Sequence, residues 1–222
     1  MDLMEACKVG NLEAVKFLVE EEGVDIHADN NDSLRWAATH GYIDIVKFLV
    51  ENGADIHAEN EKALRWAASS GHLEVVKYLV GKGADVHACG NDTLRWTASN
   101  GHLEVVKYLV ENGADIHAEN EKALRWAVRG GHLEVVKYLV EQGADIHTED
   151  DCPLRYAAKN GHLEIVKYLI KQGANVDILD LDLTDLHKLW SILSDEEMLP
   201  FLVSGNKRIR KAAKAYLRKG GR

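Results

Sequence analysis

The ten residues GHLEVVKYLV occupy positions 71–80, and the same string returns at 101–110 and at 131–140. Successive copies therefore begin 30 residues apart. Leucines and glycines keep this spacing through most of the chain, at Leu34, Leu64, Leu94, Leu124 and Leu154 and at Gly41, Gly71, Gly101, Gly131 and Gly161. A fixed period of this size is the signature of a protein that stacks small units along one direction. The sequence therefore predicts a repeat array.

Each unit contains two helical patterns. In ALRWAA at 63–68 the apolar residues follow one helix face, and Gly71 then supplies a residue that readily adopts the left-handed C-cap conformation. In LEVVKYLV at 73–80 the apolar stripe is longer. We expect an extended connector, such as GADIHAEN at 53–60, to join the units. Residues favoured at helix N-caps recur near its end, at Asn30, Asn60, Gly90, Asn120 and Asp150.

The repeated pattern resembles the ankyrin repeat, whose first helix begins T-P-L-H-x-A and whose second helix follows Gly-His. LRWAA at 64–68, GHLEVVKYL at 71–79 and GADIHA at 53–58 carry the resemblance. The unit has 30 residues, whereas the family norm is about 33, and the missing residues fall between Gly53 and Leu64. This short version is similar to the ankyrin proteins of giant viruses that infect amoebae.

The resemblance implies an all-α ankyrin-repeat solenoid with short β-like connectors. We expect six repeats over residues 1–179, of which the first is an N-terminal cap because Glu5 replaces the tryptophan of later units. Residues 180–222 lose the repeat pattern and are expected to form a helical C-terminal cap. The resemblance further implies a non-enzymatic protein-protein interaction module or scaffold that binds another protein through the concave groove lined by the first helices.

One large aromatic residue per repeat is a candidate for that groove. On a helical wheel Trp66 lies about 200° from Leu64, opposite the small-residue face. Three interpretations stay open: a ring packed against the next repeat, a solvent-facing ring that serves only interaction, and a packed ring with an edge accessible to a partner. The predicted partner-binding residues are Trp36, Trp66, Trp96, Trp126, Tyr156, His40, Ser70, Asn100 and Asn160.

An arginine precedes each of these aromatic residues, where the ankyrin family has the TPLH histidine that links neighbouring units. Arginine offers five donors in a fixed fork and can bond carbonyl or carboxylate oxygens. We expect a clamp between repeats, with a basic stripe for an acidic partner as the alternative. The clamp residues are Arg35, Arg65, Arg95, Arg125 and Arg155.

No catalytic, metal or cofactor site is expected. The sequence lacks the phosphate-binding, dinucleotide, zinc-protease and serine-hydrolase motifs. Most of its 11 histidines recur with the repeat, and stacked repeats hold equivalent residues too far apart to share one ion. The three widely spaced cysteines fit neither a disulfide framework nor a zinc module.

The last residues differ in charge from the repeats. Residues 1–179 hold 18 Lys and Arg against 30 Asp and Glu, whereas residues 180–222 hold 9 against 6. Three helices are predicted in the second range, with Ser194 and Glu197 as a capping box and Asn206 starting a basic amphipathic helix. That helix is expected to complete the cap, and partner docking remains open.

Two other functions are alternatives. The basic helix could bind nucleic acid or an anionic membrane, although the acidic repeats make nucleic acid an unfavourable partner. An engineered consensus array without a natural partner is the other. Because no signal peptide or transmembrane stretch is evident, we expect an intracellular, cytoplasmic monomer, in the host cytoplasm if the source is viral.

Overall fold

The computed structural model describes residues 2–179, 183–194 and 196–218, which contain helices, turns and bends but no β-strand. Paired helices make up the repeats: α1 (Leu3–Lys8) with α2 (Leu12–Glu20), α3 (Ala28–Thr39) with α4 (Ile43–Glu51), α5 (Ala58–Ser69) with α6 (Leu73–Gly81), α7 (Ala88–Ser99) with α8 (Leu103–Glu111), α9 (Ala118–Gly130) with α10 (Leu133–Glu141), and α11 (Thr148–Lys159) with α12 (Leu163–Lys171). A 3₁₀-helix (Val176–Ile178), α13 (Leu183–Ile192), α14 (Leu199–Val203) and α15 (Lys207–Arg218) follow.

The chain forms two compact units, Met1–Glu119 and Asn120–Arg222. In the first unit, the first helices of successive repeats contact one another, and the second helices form another such layer. In the second unit, α12 contacts both α10 and α11. The predicted all-α class of stacked helix pairs is confirmed. The predicted boundary between a repeat array and a cap at residue 179 stays a prediction.

The core follows the apolar pattern of the repeat. Leu64, Ala67 and Ala68 of α5 are completely buried, as are Val76 and Leu79 of α6. Alanine on the first helix lets the neighbouring helices approach closely, and burying a leucine side chain contributes about 1.5–3 kcal/mol. Because the same positions are buried in successive repeats, one continuous hydrophobic layer runs through each unit.

The turn between the two helices of a repeat requires glycine for two reasons. Gly71 has φ of +82°, and its amide bonds to the carbonyl of Ala68 at 3.1 Å. A Cβ placed there would also lie 2.6 Å from Nδ1 of His102, whose ring packs over the glycine. The repeated Gly-His pair is therefore an interlocking contact between consecutive repeats.

The connectors differ from the extended, β-like segments expected from the sequence. Glu59, Asn60 and Glu61 all have left-handed backbone angles, with φ of 50°, 55° and 61°, and the same turn recurs at 89–91 and 149–151. The N-cap roles expected for Asn60, Gly90 and Asp150 are therefore wrong, because right-handed helix begins one residue after each turn. The side chain of Asn30 lies outside the described residues. A left-handed turn reverses the chain over few residues, which suits a unit shorter than the ankyrin norm.

The C-terminal helices have a core of their own. Trp190 and Phe201 are almost fully buried, and the ring centroids of Trp190 and Tyr216 lie 5.4 Å apart. The predicted capping box forms, since the amide of Ser194 bonds to Glu197 at 2.7 Å and the amide of Glu197 bonds to Ser194 at 3.3 Å.

Helix α15 also begins where the sequence predicted, directly after Asn206. Oδ1 of Asn206 accepts from the amide of Arg208 at 3.0 Å, which is an N-cap contact. Of the predicted segment, residues 180–182, 195 and 219–222 lie outside the described part of the chain, so the basic residues Lys219 and Arg222 receive no structural account.

Candidate partner-binding groove

A groove of about 400 Å³ lies along α5 and α7 in the first unit. Its lining residues are Lys62, Arg65, Trp66, Ser69, Trp96 and Asn100. We call it the Trp66–Trp96 groove. Trp66 is 46% exposed and Trp96 39% exposed, so both rings offer an open edge while part of each packs against the protein. Tryptophan in a partly enclosed concavity is typical of binding hot spots.

Helix periodicity explains why these rings face outward. Leu64, Ala67 and Ala68 take the buried face of α5, which leaves Trp66 on the opposite side. Ser69 lies almost one turn further along that side. Its carbonyl and hydroxyl accept from Nδ2 of Asn100 at 2.8 and 2.9 Å, which ties the end of α7 to the end of α5. The wall of the groove is thus fixed by hydrogen bonds as well as packing.

Cationic side chains stand beside both rings. Nε and Nη2 of Arg65 donate to the carbonyls of Asn60 and Glu59 at 2.9 and 3.0 Å. The guanidinium carbon of Arg95 lies 4.5 Å from the centroid of the Trp96 ring. Lys62 at the rim forms an ion pair with Glu59. The groove therefore combines two aromatic surfaces with positive charge, which suits an apolar side chain flanked by acidic groups.

The other predicted groove residues of the first unit are placed elsewhere. Trp36 is half-buried, because Nζ of Lys8 and the guanidinium of Arg35 lie 4.9 and 5.0 Å from its ring centroid. His40 is exposed, with its ring 5.5 Å from that of Trp36. Ser70 caps α5 and is not among the residues that line the Trp66–Trp96 groove.

In the second unit, Trp126 is half-buried beneath Arg129, whose guanidinium lies 5.1 Å from the ring centroid. Tyr156 is exposed, and Nδ2 of Asn160 donates to its carbonyl at 2.8 Å. Of the nine predicted residues, the structure brings Trp66, Trp96 and Asn100 together in one groove. That the aromatic residues of all the repeats line one concave groove stays a prediction.

The arginines mainly hold connectors. Arg65 caps carbonyls of the left-handed turn that precedes it, and Arg155 does the same through Glu149 at 3.0 Å. Arg35 and Arg95 pair with Asp32 and Asp92 on their own helices. Nη1 of Arg125 reaches Oε2 of Glu149, one connector further along, at 2.5 Å. A general clamp between repeats stays a prediction, and the Arg125 contact supports it.

The histidine after each turn glycine makes a link between repeats that sequence reasoning missed. Nε2 of His72 donates to the carbonyl of Thr39 at 2.9 Å, and Nε2 of His162 donates to the carbonyl of Arg129 at 3.0 Å. Each bond joins the start of the second helix of one repeat to the end of the first helix of the preceding repeat. The signal was present, because Gly and His recur together at the 30-residue period.

A second missed position lies at the end of the left-handed turn. Asn31 and Asn91 accept from the backbone amides of Asp55 and Asp115, each at 2.9 Å. At the equivalent position, the buried Glu61 accepts from Nδ1 of His57 at 2.6 Å. That hydrogen bond raises the pKa of the exposed His57 imidazole. Whether the side chain at this position is an amide or an acid, it accepts a hydrogen bond from a connector residue.

The described residues present no metal-binding cluster of three or more His, Cys, Asp or Glu side chains. Burial raises the pKa of the Cys7 thiol to about 12, although a hydrogen bond with Ser33 opposes the effect. A thiol with so high a pKa is protonated at neutral pH and is a poor nucleophile. Among the helices described, none has the length and apolar character needed to cross a bilayer.

A family model described as ankyrin repeats (3 copies) matches residues 3–60, 64–150 and 94–180. Together these matches cover most of the chain, and they end at residue 180. No curated protein matches the chain.

Proposed function

Because the chain belongs to the ankyrin-repeat family, we propose that it is a non-enzymatic module that binds a partner protein through the Trp66–Trp96 groove. Ankyrin repeats are generally protein-interaction modules, and the family is typically non-enzymatic. The observation that carries the proposal is the pair of half-exposed tryptophans on adjacent first helices, at one concavity of about 400 Å³.

The short connectors support this choice of surface. In each connector, a left-handed turn takes the place of a projecting hairpin, so no hairpin covers the outward-facing side chains of the first helices. The groove is also prearranged, since Asn100 is bonded to Ser69 and Arg65 to its own connector. A rigid site loses little conformational entropy when a partner binds.

The lining chemistry defines the partner's contact segment. An apolar or aromatic side chain fits between the two rings, and an acidic side chain next to it would face Lys62 and Arg65. Because the short repeat is similar to those of giant viruses, a host protein is the proposed source of that segment.

Proximity labelling in the source cell tests the proposal. The full chain and its Trp66→Ala/Trp96→Ala variant would be compared with Val203→Ala, which removes a highly exposed apolar side chain on α14, outside the groove. We expect at least one protein to be labelled by the wild type and by Val203→Ala but not by the groove variant. Identical labelled sets for all three chains would refute the groove as the binding site.

A further inference from the structure

The second helix of the first repeat has an exposed acidic face with an apolar centre. Phe17 of α2 is 54% exposed, although it is a large aromatic residue. Glu13 lies one turn before it, and Glu20 and Glu21 lie one turn after it. The side chain of Glu13 is 85% exposed and pairs with Lys16 at 3.6 Å. Phe17 is therefore an exposed apolar side chain flanked by carboxylates.

The last described helix has the opposite character. Ile209 and Ala213 of α15 are buried, and the other side of the helix borders a depression of about 430 Å³. The residues that line this depression are Lys207, Arg210, Lys211, Lys214, Ala215 and Arg218. In the described part of the chain, no carboxylate forms an ion pair with any of these five cations. Leu217, which is 39% exposed, follows Lys214 by one helical turn.

The two compact units differ in charge as the two helices do: the unit that contains α2 is the more acidic. Residues 1–119 hold 10 Lys and Arg against 21 Asp and Glu, whereas residues 120–222 hold 17 against 15. The chain itself thus supplies both an anionic and a cationic surface, each with an exposed apolar residue. Complementary potentials of this kind promote encounter and set the orientation of association.

Other anionic occupants fit the face of α15 less well. An amphipathic helix binds a membrane by inserting its apolar face, but Ile209 and Ala213 are already packed inside the protein. A nucleic acid extends well beyond the roughly 18 Å of a 12-residue helix. Such a polyanion would be repelled by a chain with a net charge of −9.

We propose that α2 of one copy packs against the basic face of α15 of a second copy. Phe17 lies against Leu217, and the carboxylates of Glu13, Glu20 and Glu21 face the cations. The contact joins two different surfaces, so it either closes a ring of copies or continues from copy to copy. In both cases association produces species larger than the monomer, and their population rises with concentration. This self-association departs from the monomer expected from the sequence.

The contact is small, because α2 has only 9 residues and α15 has 12. An interface of this size falls below the usual area of a stable complex, so it forms at micromolar or higher protein concentrations. Its charges are exposed and hence screened by salt, with a Debye length of about 10 Å at 0.1 M.

Sedimentation velocity of the full chain tests the proposal. We expect the weight-average sedimentation coefficient to rise with concentration at low salt, and the association constant to fall at least tenfold when salt is raised. Two charge-reversed variants, Glu20→Lys/Glu21→Lys and Lys211→Glu/Lys214→Glu, should each sediment as monomers. Their equimolar mixture should associate again, because each then offers the surface complementary to the other.

The control for Glu20→Lys/Glu21→Lys is Glu74→Lys/Glu104→Lys, which makes the same change in net charge at exposed positions on α6 and α8 and should associate like the wild type. A wild type that stays monomeric at every concentration, or a mixture that fails to recover association, would overturn the proposal. It would also be overturned if a single-stranded RNA or phosphatidylserine vesicles bound α15 while no self-association occurred.

Discussion

At the scale of single residues, the position that ends each left-handed turn was the least predictable. An acidic residue in a polar connector is ordinarily solvated, yet Glu61 is buried, and its carboxylate bonds the exposed ring of His57. The chain places asparagine at the equivalent positions 31 and 91 and the acid at 61, 121 and 151. Only the backbone path, with three successive residues at positive φ, shows why these side chains turn inward.

The His57–Glu61 pair predicts a pH effect. Its hydrogen bond raises the pKa of His57 in the folded state above the ordinary value of about 6.5. The resulting stability is fully present below the unfolded-state pKa and is lost as pH rises through the folded-state pKa. NMR titration should show the His57 pKa falling in Glu61→Gln, and denaturant melts should show that the wild-type advantage narrows with rising pH.

The matched control for this pair is Glu59→Gln, two residues earlier in the same turn, whose carboxylate pairs with Lys62 instead. It should leave the His57 titration unchanged. An unaltered His57 pKa in Glu61→Gln would show that the hydrogen bond is not its cause.

At the scale of secondary-structure elements, the helices could be predicted and the connectors could not. Apolar periodicity marks α5 and α6 directly, because Leu64 and Leu79 must face the core. The connector residues carry no such periodicity, and non-glycine residues seldom adopt left-handed angles, which cost about 1–2 kcal/mol each. The capping bonds of Arg65 to the carbonyls of Glu59 and Asn60 offset that cost, and their geometry depends on the backbone path of the turn, which apolar periodicity does not give.

Substitution of two glycines by alanine tests the helical and the left-handed assignments separately. Gly81 lies in the last turn of α6 and Gly90 in a left-handed turn with φ of +64°, and neither would bring an added Cβ closer than 3.4 Å to a neighbouring atom. Gly81→Ala should therefore stabilise the protein by about 0.5–1 kcal/mol through helix propensity. Gly90→Ala should destabilise it by about 1 kcal/mol through backbone strain.

Urea unfolding monitored by circular dichroism measures both effects, and each variant serves as the control for the other. Destabilisation by Gly81→Ala, or no effect of Gly90→Ala, would contradict the helical and left-handed assignments respectively.

At the scale of the whole molecule, the 30-residue period predicted the repeat fold, because each unit must bury its apolar face against a neighbour. The helical wheel placed Trp66 opposite the small-residue face of its helix but left open how much of the ring the next repeat covers. The groove itself was not predictable, since its wall depends on the Asn100–Ser69 bond between repeats and on Arg95 lying over Trp96. Those contacts depend on the distance between helices, which a helical wheel does not give.

The C-terminal helices are predicted to stabilise the protein. Removing residues 205–222 would take away the buried Ile209 and Ala213 and, with Tyr216, the ring contact that covers Trp190. We expect the melting temperature to fall by about 5 °C or more, as loss of a few kcal/mol of apolar burial implies. Lys211→Ala/Lys214→Ala, which removes exposed charge from α15 without disturbing its packed face, should melt like the wild type. An unchanged melting temperature after the deletion would show that these helices do not act as a cap.

The most direct test of the central claim is the dissociation constant of a partner that labelling identifies, measured by calorimetry with purified chains. A buried tryptophan anchor contributes about 2 kcal/mol or more, equivalent to roughly thirtyfold in affinity. Trp66→Ala/Trp96→Ala should therefore weaken binding at least thirtyfold, while Val203→Ala stays within about twofold of the wild type. A groove variant that keeps the wild-type dissociation constant would contradict the proposal that this groove binds the partner.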